Sequence, residues 1–322
     1  MQGRSAPWVH AAVVMVAAAM AVATLAFAAG TFVNVLTGRT NGAYYPLGVA
    51  FAGVIADTMP NVKASVQATK GSFDNLALLQ AERGEIAFTL ADALSDAWKG
   101  NEEAGFRQPL KKLRRVAALY PNYIHIVARA DSGIRTLADL KGKRVSVGAP
   151  KSGIELNARA VLHAAGIDYR DFAKVEYLPF GESVELMKGK HIDATLQSAG
   201  LGASSLRDLA SSLPVVFVPV PEEVAKRMTG GGYTSGVIPA DTYNGQTADV
   251  SAVVVQNLLV THEDVSDDVV YGITKALWTH LDRLVAANGA AKAIDIHKAL
   301  QGAPVPLHPG AEKYYKEAGI LK

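Results

Sequence analysis

Apolar residues in this chain gather in short runs, each closed by a turn with glycine or serine and followed by apolar positions three and four apart. Residues 31–36 form such a run and predict a buried strand. Thr37-Gly38-Arg39-Thr40-Asn41-Gly42 makes the turn. A helix is expected from Tyr44, with helical apolar spacing over 47–59 and a stop at Pro60. Alternation over 62–68 predicts a second strand, and Thr69-Lys70-Gly71-Ser72 a second turn. A helix over 75–83, ending at Gly84, and a strand at 86–90 follow. The order β-α-β-α-β is that of a parallel, doubly wound sheet.

Residues 110–118 lead through Leu119-Tyr120-Pro121-Asn122-Tyr123 to a strand at 124–128. A short helix stops at Gly142 before a strand at 145–147. Gly148-Ala149-Pro150-Lys151-Ser152-Gly153 is a third turn, and a helix over 154–165 follows it. Further strands are expected at 175–178, 192–197, 215–218 and 253–261, and helices at 183–188, 206–210, 269–280 and 284–299. The strand, turn, helix unit recurs on both sides of Tyr120. The expected fold class is therefore α/β, with two similar lobes, each a doubly wound, mainly parallel sheet. Ligands of such sheets lie beyond the carboxyl ends of the strands, so two facing lobes share a cleft.

The beginning of the chain changes the picture. One basic residue, Arg4, precedes an apolar run over 11–27 that ends Ala26-Phe27-Ala28, a small-x-small cleavage pattern. Residues 1–28 are read as a cleaved signal peptide, with the mature protein in the periplasm. The run nearly reaches membrane-spanning length, so a retained N-terminal anchor is the alternative. There are no cysteines, so a large core, not disulfides, must stabilise the fold. The formal charge of +2 falls to +1 without Arg4, which excludes an electrostatic footprint for nucleic acid.

A strand, a glycine-rich turn and a helix N-terminus together suit an anion. First-turn N–H groups are free, the helix dipole is positive there, and glycine allows close approach. Arg39 and Lys70 follow successive strands and can converge on one carboxylate. Asn41 can donate and accept, or serve turn chemistry alone; Ala43 belongs to the same turn. Tyr44 can point its hydroxyl into the cleft or pack at the helix start. Ser72 can bond a ligand oxygen or cap its helix. Ser152 with Glu155 fits a capping box. Thr89 and Gln197 end apolar strands on the expected cleft side. These nine residues (Arg39, Asn41, Ala43, Tyr44, Lys70, Ser72, Thr89, Ser152 and Gln197) are the candidate ligand-binding set. His125 reads as a core histidine, Lys151 as a rim charge, and Asp92 as a helix cap or an ammonium acceptor. No nucleophile elbow, zinc motif or metal-spaced cluster is present, so no catalytic residue, metal or cofactor is expected.

The chain resembles the TAXI-type solute-binding proteins of the TRAP transporter group. The resemblance rests on Gly42-Ala43-Tyr44-Tyr45-Pro46-Leu47-Gly48, Thr69-Lys70-Gly71-Ser72-Phe73-Asp74-Asn75-Leu76, Ala118-Leu119-Tyr120-Pro121-Asn122-Tyr123-Ile124-His125, Leu137 to Val145, Gly148 to Ala158, Ile192-Asp193-Ala194 and Ala199-Gly200, in that order. It implies a type II periplasmic binding fold, with one lobe from residues 29–121 and 235–322 and the other from 122–234. It also implies a monomer that captures a small organic anion, a C4–C5 dicarboxylate or glutamate-like acid, and hands it to TRAP permease subunits in the membrane. The alternative is a ligand sensor for a membrane receptor kinase; an exported two-lobe enzyme and a ligand-free surface protein are further rivals. The chain departs from the family pattern at Arg39, Asn41, Lys70 and Lys151, and in Thr89-Leu90-Ala91-Asp92. The added cations favour a more anionic ligand than a zwitterion.

Overall fold

The computed structural model describes residues 31–40, 42–228 and 232–322. The expected signal peptide and Asn41 lie outside the described residues.

The opening run becomes strand β1 (Thr31–Leu36), and helix α1 (Tyr44–Thr58) follows the turn. Then come β2 (Val62–Gln67), α2 (Ser72–Gln80), β3 (Ile86–Leu90) and α3 (Ala91–Lys99). A long strand, β4 (Leu113–Arg129), leads to β5 (Arg144–Ser146), α4 (Gly153–Ala164), β6 (Lys174–Glu176), α5 (Phe180–Lys188) and β7 (Ala194–Ala199). After α6 (Ser204–Ser212), β8 (Val215–Phe217), α7 (Glu222–Arg227) and β9 (Tyr233–Ile238), a second long strand runs as β10 (Val250–His262). Helices α8 (Asp267–Thr279), α9 (Leu281–Ala287) and α10 (Pro309–Glu317) close the chain.

The strands form one mixed sheet in the order β2-β1-β3-β10-β4-β7-β5-β6, with β8 on β4 and β9 on β10. Its two ends are parallel, β1 with β2 and β3, and β5 with β6 and β7. Its middle is antiparallel, because β10 pairs with both β3 and β4. The fold class is α/β, as expected from the alternation of strands and helices. The two parallel wings, however, are joined into a single sheet by the two long strands.

Side-chain alternation sends β1 to two cores. Val33 and Val35 pack with Leu47, Phe51 and Ile55 of α1 and Ile273 of α8. Leu36 joins Leu76, Leu79 and Leu94 on the other side, in a core that also holds Leu156 and Val161 of α4. That second core therefore draws on helices from both wings. A smaller cluster gathers Val184, Met187, Leu206 and Phe217.

Two expectations are corrected. Residues 119–123 do not separate two strands: β4 runs straight through them. Pro121 lacks an N–H, and the ladder tolerates it because it pairs with Gln256 at a register shift in β10. The helix expected over 284–299 ends at Ala287. Asn288 turns extended, at φ −155°, and its side chain accepts a hydrogen bond from the Ala290 N–H at 2.9 Å. Two 3-10 turns, Gly289–Ala293 and Ile296–Lys298, take over. They still bury Ala291 and Ile294, which is why the apolar spacing reads on without a break.

Candidate functional site

A cavity of about 990 Å³ lies where helix N-termini from both wings converge. The first residues of α1 (Tyr44), α2 (Ser72), α4 (Gly153), α5 (Phe180) and α6 (Ser204) all line it. Five first turns thus direct the positive ends of their dipoles and their free N–H groups toward one volume. Among the described residues four cations also line it, Arg39, Lys70, Arg207 and Lys292, against the single carboxylate of Asp208. That carboxylate is already paired with Lys188 at 2.7 Å. The electrostatic character of the cavity is positive.

At one end, α2 and α4 abut. Gly71, the N-cap of α2, has φ +112°, a backbone state that favours glycine. A Cβ on Gly71 would lie 3.9 Å from Ser152 Cα, and one on Gly153 would lie 2.7 Å from Ser72 Oγ. Ser72 Oγ accepts from the Leu90 N–H at 3.2 Å, which ties α2 to the end of β3. Ser152 Oγ accepts from the Glu155 N–H at 3.2 Å and donates to the Ala149 carbonyl at 2.6 Å, capping α4. The expected box is half formed, since Glu155 turns away to pair with Arg159 at 2.8 Å and accepts from Tyr169 OH at 2.9 Å.

The wall between the two ends is built on the long strands. Asn257 is the residue skipped by the β4 ladder at the register shift, and such an irregularity re-aims a side chain. Its Nδ2 donates to the Tyr120 carbonyl at 2.8 Å and to Asn122 Oδ1 at 2.9 Å, while its Oδ1 accepts from Tyr44 OH at 2.7 Å. All four residues line the cavity. Burial pushes the Tyr44 hydroxyl well above its ordinary pKa, so it stays a neutral donor.

Of the residues singled out from sequence, Arg39, Ala43, Tyr44, Lys70, Ser72 and Ser152 line the cavity. Asn41 lies outside the described residues. The structure does not bring Thr89 or Gln197 to the cavity. Thr89 is fully buried with its hydroxyl toward the Leu90 carbonyl at 3.4 Å, and it is Leu90, one position on, that lines the space. Gln197 is likewise buried one position before Ser198, which does line it, and its Oε1 accepts from Ser205 Oγ at 3.1 Å. Strand alternation accounts for Thr89; β7 runs on to Ala199, so Gln197 lies two residues short of the strand end, where Ser198, Ala199 and Gly200 line the cavity. Lys151 is exposed at φ +60° and is not part of the lining. His125 is buried in the core between the Tyr123 carbonyl, 2.8 Å from Nδ1, and Tyr243 OH, 2.9 Å from Nε2.

Sequence reasoning missed Asn122, Ser198, Arg207, Asn257 and Lys292. Arg207 had a signal: Gly200 to Ser204 repeats the strand, glycine turn, helix unit once more. Lys292 had none, since its turn was read as helix.

This α/β fold, with parallel wings joined through two long strands, is shared by solved structures that include periplasmic binding proteins. PhnD1 from Prochlorococcus marinus (MIT 9301), in complex with methylphosphonate, matches with a TM-score of 0.55 at 11% identity, over 91% of this chain and 100% of that one. The periplasmic binding protein BugD matches at 0.54 and 14% identity, over 91% and 99%. A protein of Bordetella bronchiseptica RB50 matches at 0.53 and 16% identity, over 91% and 90%. At these identities the likeness is one of fold. The sequence itself matches the model of the NMT1-like family over residues 35–319, and the chain belongs to that family. None of the described helices is long and apolar enough to cross a membrane.

Proposed function

We propose that this protein is an extracytoplasmic solute-binding protein that captures a small organic anion, a carboxylate, between two lobes. We take the lobes as residues 29–121 with 235–322, and 122–234, joined through β4 and β10. The observation that carries the reading is the meeting of the first turns of α2 and α4, one from each wing, in a cavity lined by four cations. A ligand held there touches both lobes, so it favours the closed form over the open one by the contacts that only the closed form completes. The TAXI-type resemblance extends the reading to a TRAP-type transporter as the membrane partner, which would recognise the closed surface. Binding rather than catalysis suits the lining: among the described residues it offers hydroxyls, amides and cations, no histidine, and one carboxylate, Asp208, already paired with Lys188.

Arg39→Ala tests the reading by calorimetry with succinate, glutarate and glutamate. Arg39 is exposed, so its loss leaves the melting temperature within a degree or two, whereas affinity falls about ten-fold, the size of one charge-assisted hydrogen bond. Unchanged affinity would remove Arg39 from the site. Silence of the wild type toward every carboxylate would overturn the function.

A further inference from the structure

The cavity is larger than the acid that the family resemblance implies. About 990 Å³ matches the share of roughly thirty water molecules at about 30 Å³ each, whereas succinate has eight non-hydrogen atoms. The surplus is not featureless. Away from the α2–α4 end, the turn between β7 and α6 packs against the turn after α9. A Cβ on Gly200 would lie 3.6 Å from Ala290 Cβ, and one on Gly202 would lie 2.6 Å from the Arg207 guanidinium. Arg207 and Lys292, both exposed, line the cavity from these two turns, next to the N-terminus of the nine-residue helix α6. Neither forms an ion pair among the described residues. Ser198, two positions before Gly200, also lines the cavity.

We propose that Arg207 and Lys292, with the first turn of α6, form a second anion subsite, and that the ligand is an elongated dianion whose two acidic groups reach both ends. This deepens the carboxylate-binding function proposed above and rests on it. Tyr120, Ile154, Phe180 and Leu201 add apolar surface to the lining, against which the methylene chain of such a ligand packs. One acidic group would take the N–H groups of α2 and α4 with Arg39 and Lys70, and the other those of α6 with Arg207 and Lys292. A C4 or C5 diacid placed at the first end leaves the second pair of cations unused. Longer α,ω-diacids neutralise both.

The test is calorimetry of the full-length mature protein with the α,ω-dicarboxylates from succinate to azelate, each beside its monocarboxylate of equal length. Affinity is expected to rise with length, to at least about ten-fold above succinate at the optimum, and each long diacid should bind about ten-fold tighter than its monoacid. Arg207→Gln with Lys292→Gln should bring the long diacid down to the level of its monoacid while leaving monoacid binding within two-fold. Both residues are exposed, and a matched melting temperature shows that the variant is folded. A wild-type series that weakens from succinate onward, or a length preference untouched by the double variant, overturns the second subsite while leaving the carboxylate-binding function standing. If no acid of any length binds, and Arg39→Ala changes nothing, both fall together.

Discussion

Asp92→Asn is expected to stabilise the protein at pH 8 and to make its stability rise more steeply with pH across the acidic range than that of the wild type. Asp92 is 2% exposed at the start of α3, two residues after the cavity-lining Leu90. Its Oδ2 accepts from Asn157 Nδ2 of α4 at 2.6 Å and from Tyr233 OH of β9 at 2.5 Å. Its Oδ1 has no partner among the described residues. Burial lifts its pKa to about 7; the bond from Tyr233 pulls the other way, and the nearby Asp96 adds to the rise. Between pH 3.8 and 7 the folded state holds a proton that the unfolded chain has lost, so stability falls as pH rises through that window. Above it the buried charge is worth on the order of 2–4 kcal/mol against folding. His125 works in the opposite sense. Burial lowers its pKa to about 4, so between pH 4 and 6.5 the unfolded chain gains a proton that the folded state refuses, and stability rises with pH. In the wild type the two slopes oppose one another over the shared window, where the half-buried Asp96 acts in the sense of Asp92 and the buried His308 in the sense of His125. Asparagine at position 92 removes the Asp92 contribution and tilts the balance toward stability that rises with pH. Urea midpoints at pH 5, 6.5 and 8 measure this; a variant whose pH slope matches the wild type would show that Asp92 does not titrate between the folded and unfolded states.

The wings were legible in the sequence because their strands are apolar runs bounded by turn residues, and a buried parallel strand has no other signature. The spans of β1 and β3 came out at the observed residues, and the helices after the first three turns came out within a few positions. The α2–α4 end of the site was legible for the same reason, since a glycine turn before a helix is both a structural boundary and an anion-facing surface. What the sequence hid lies in the middle of the sheet. Asn122 and Asn257 sit within strands, where a polar residue reads as a solvent-facing position, and only the pairing of β10 with β4 turns them toward the cavity. Strand β9 was invisible because glycines precede it and weaken any β signal. Thr89 and Gln197 were placed by the ends of their apolar runs, but Thr89 faces away from its neighbour Leu90, which lines the cavity, and β7 continues past Gln197 to Ala199.

Gly153→Val is expected to weaken dicarboxylate binding by about ten- to a hundred-fold while leaving a folded protein. Gly153 opens α4 against the opposite wing, and a Cβ there would lie 2.7 Å from Leu90 Cδ1, 2.7 Å from Ser72 Oγ and 3.2 Å from Ser72 Cβ. Neither neighbour can step aside. Leu90 and Ser72 are each 2% exposed, and the Ser72 hydroxyl is held by the Leu90 N–H. The wedge is relieved if α4 shifts away from Ser72 and Leu90, which in the two-lobe closure proposed above is a shift toward the open form. Overpacking of this kind costs about 1–3 kcal/mol, and every 1.4 kcal/mol of closure lost is about ten-fold in affinity. α4 keeps its own cap at Ser152, so the helix stays formed and the penalty falls on its contacts with Ser72 and Leu90. Calorimetry with the tightest dicarboxylate of the length series reads the affinity, and small-angle scattering of ligand-free protein should show a larger radius of gyration than the wild type. If affinity and radius both stay at wild-type values, the abutment of α2 on α4 is not the arrangement that holds the ligand, and the anion must be sought elsewhere in the cavity.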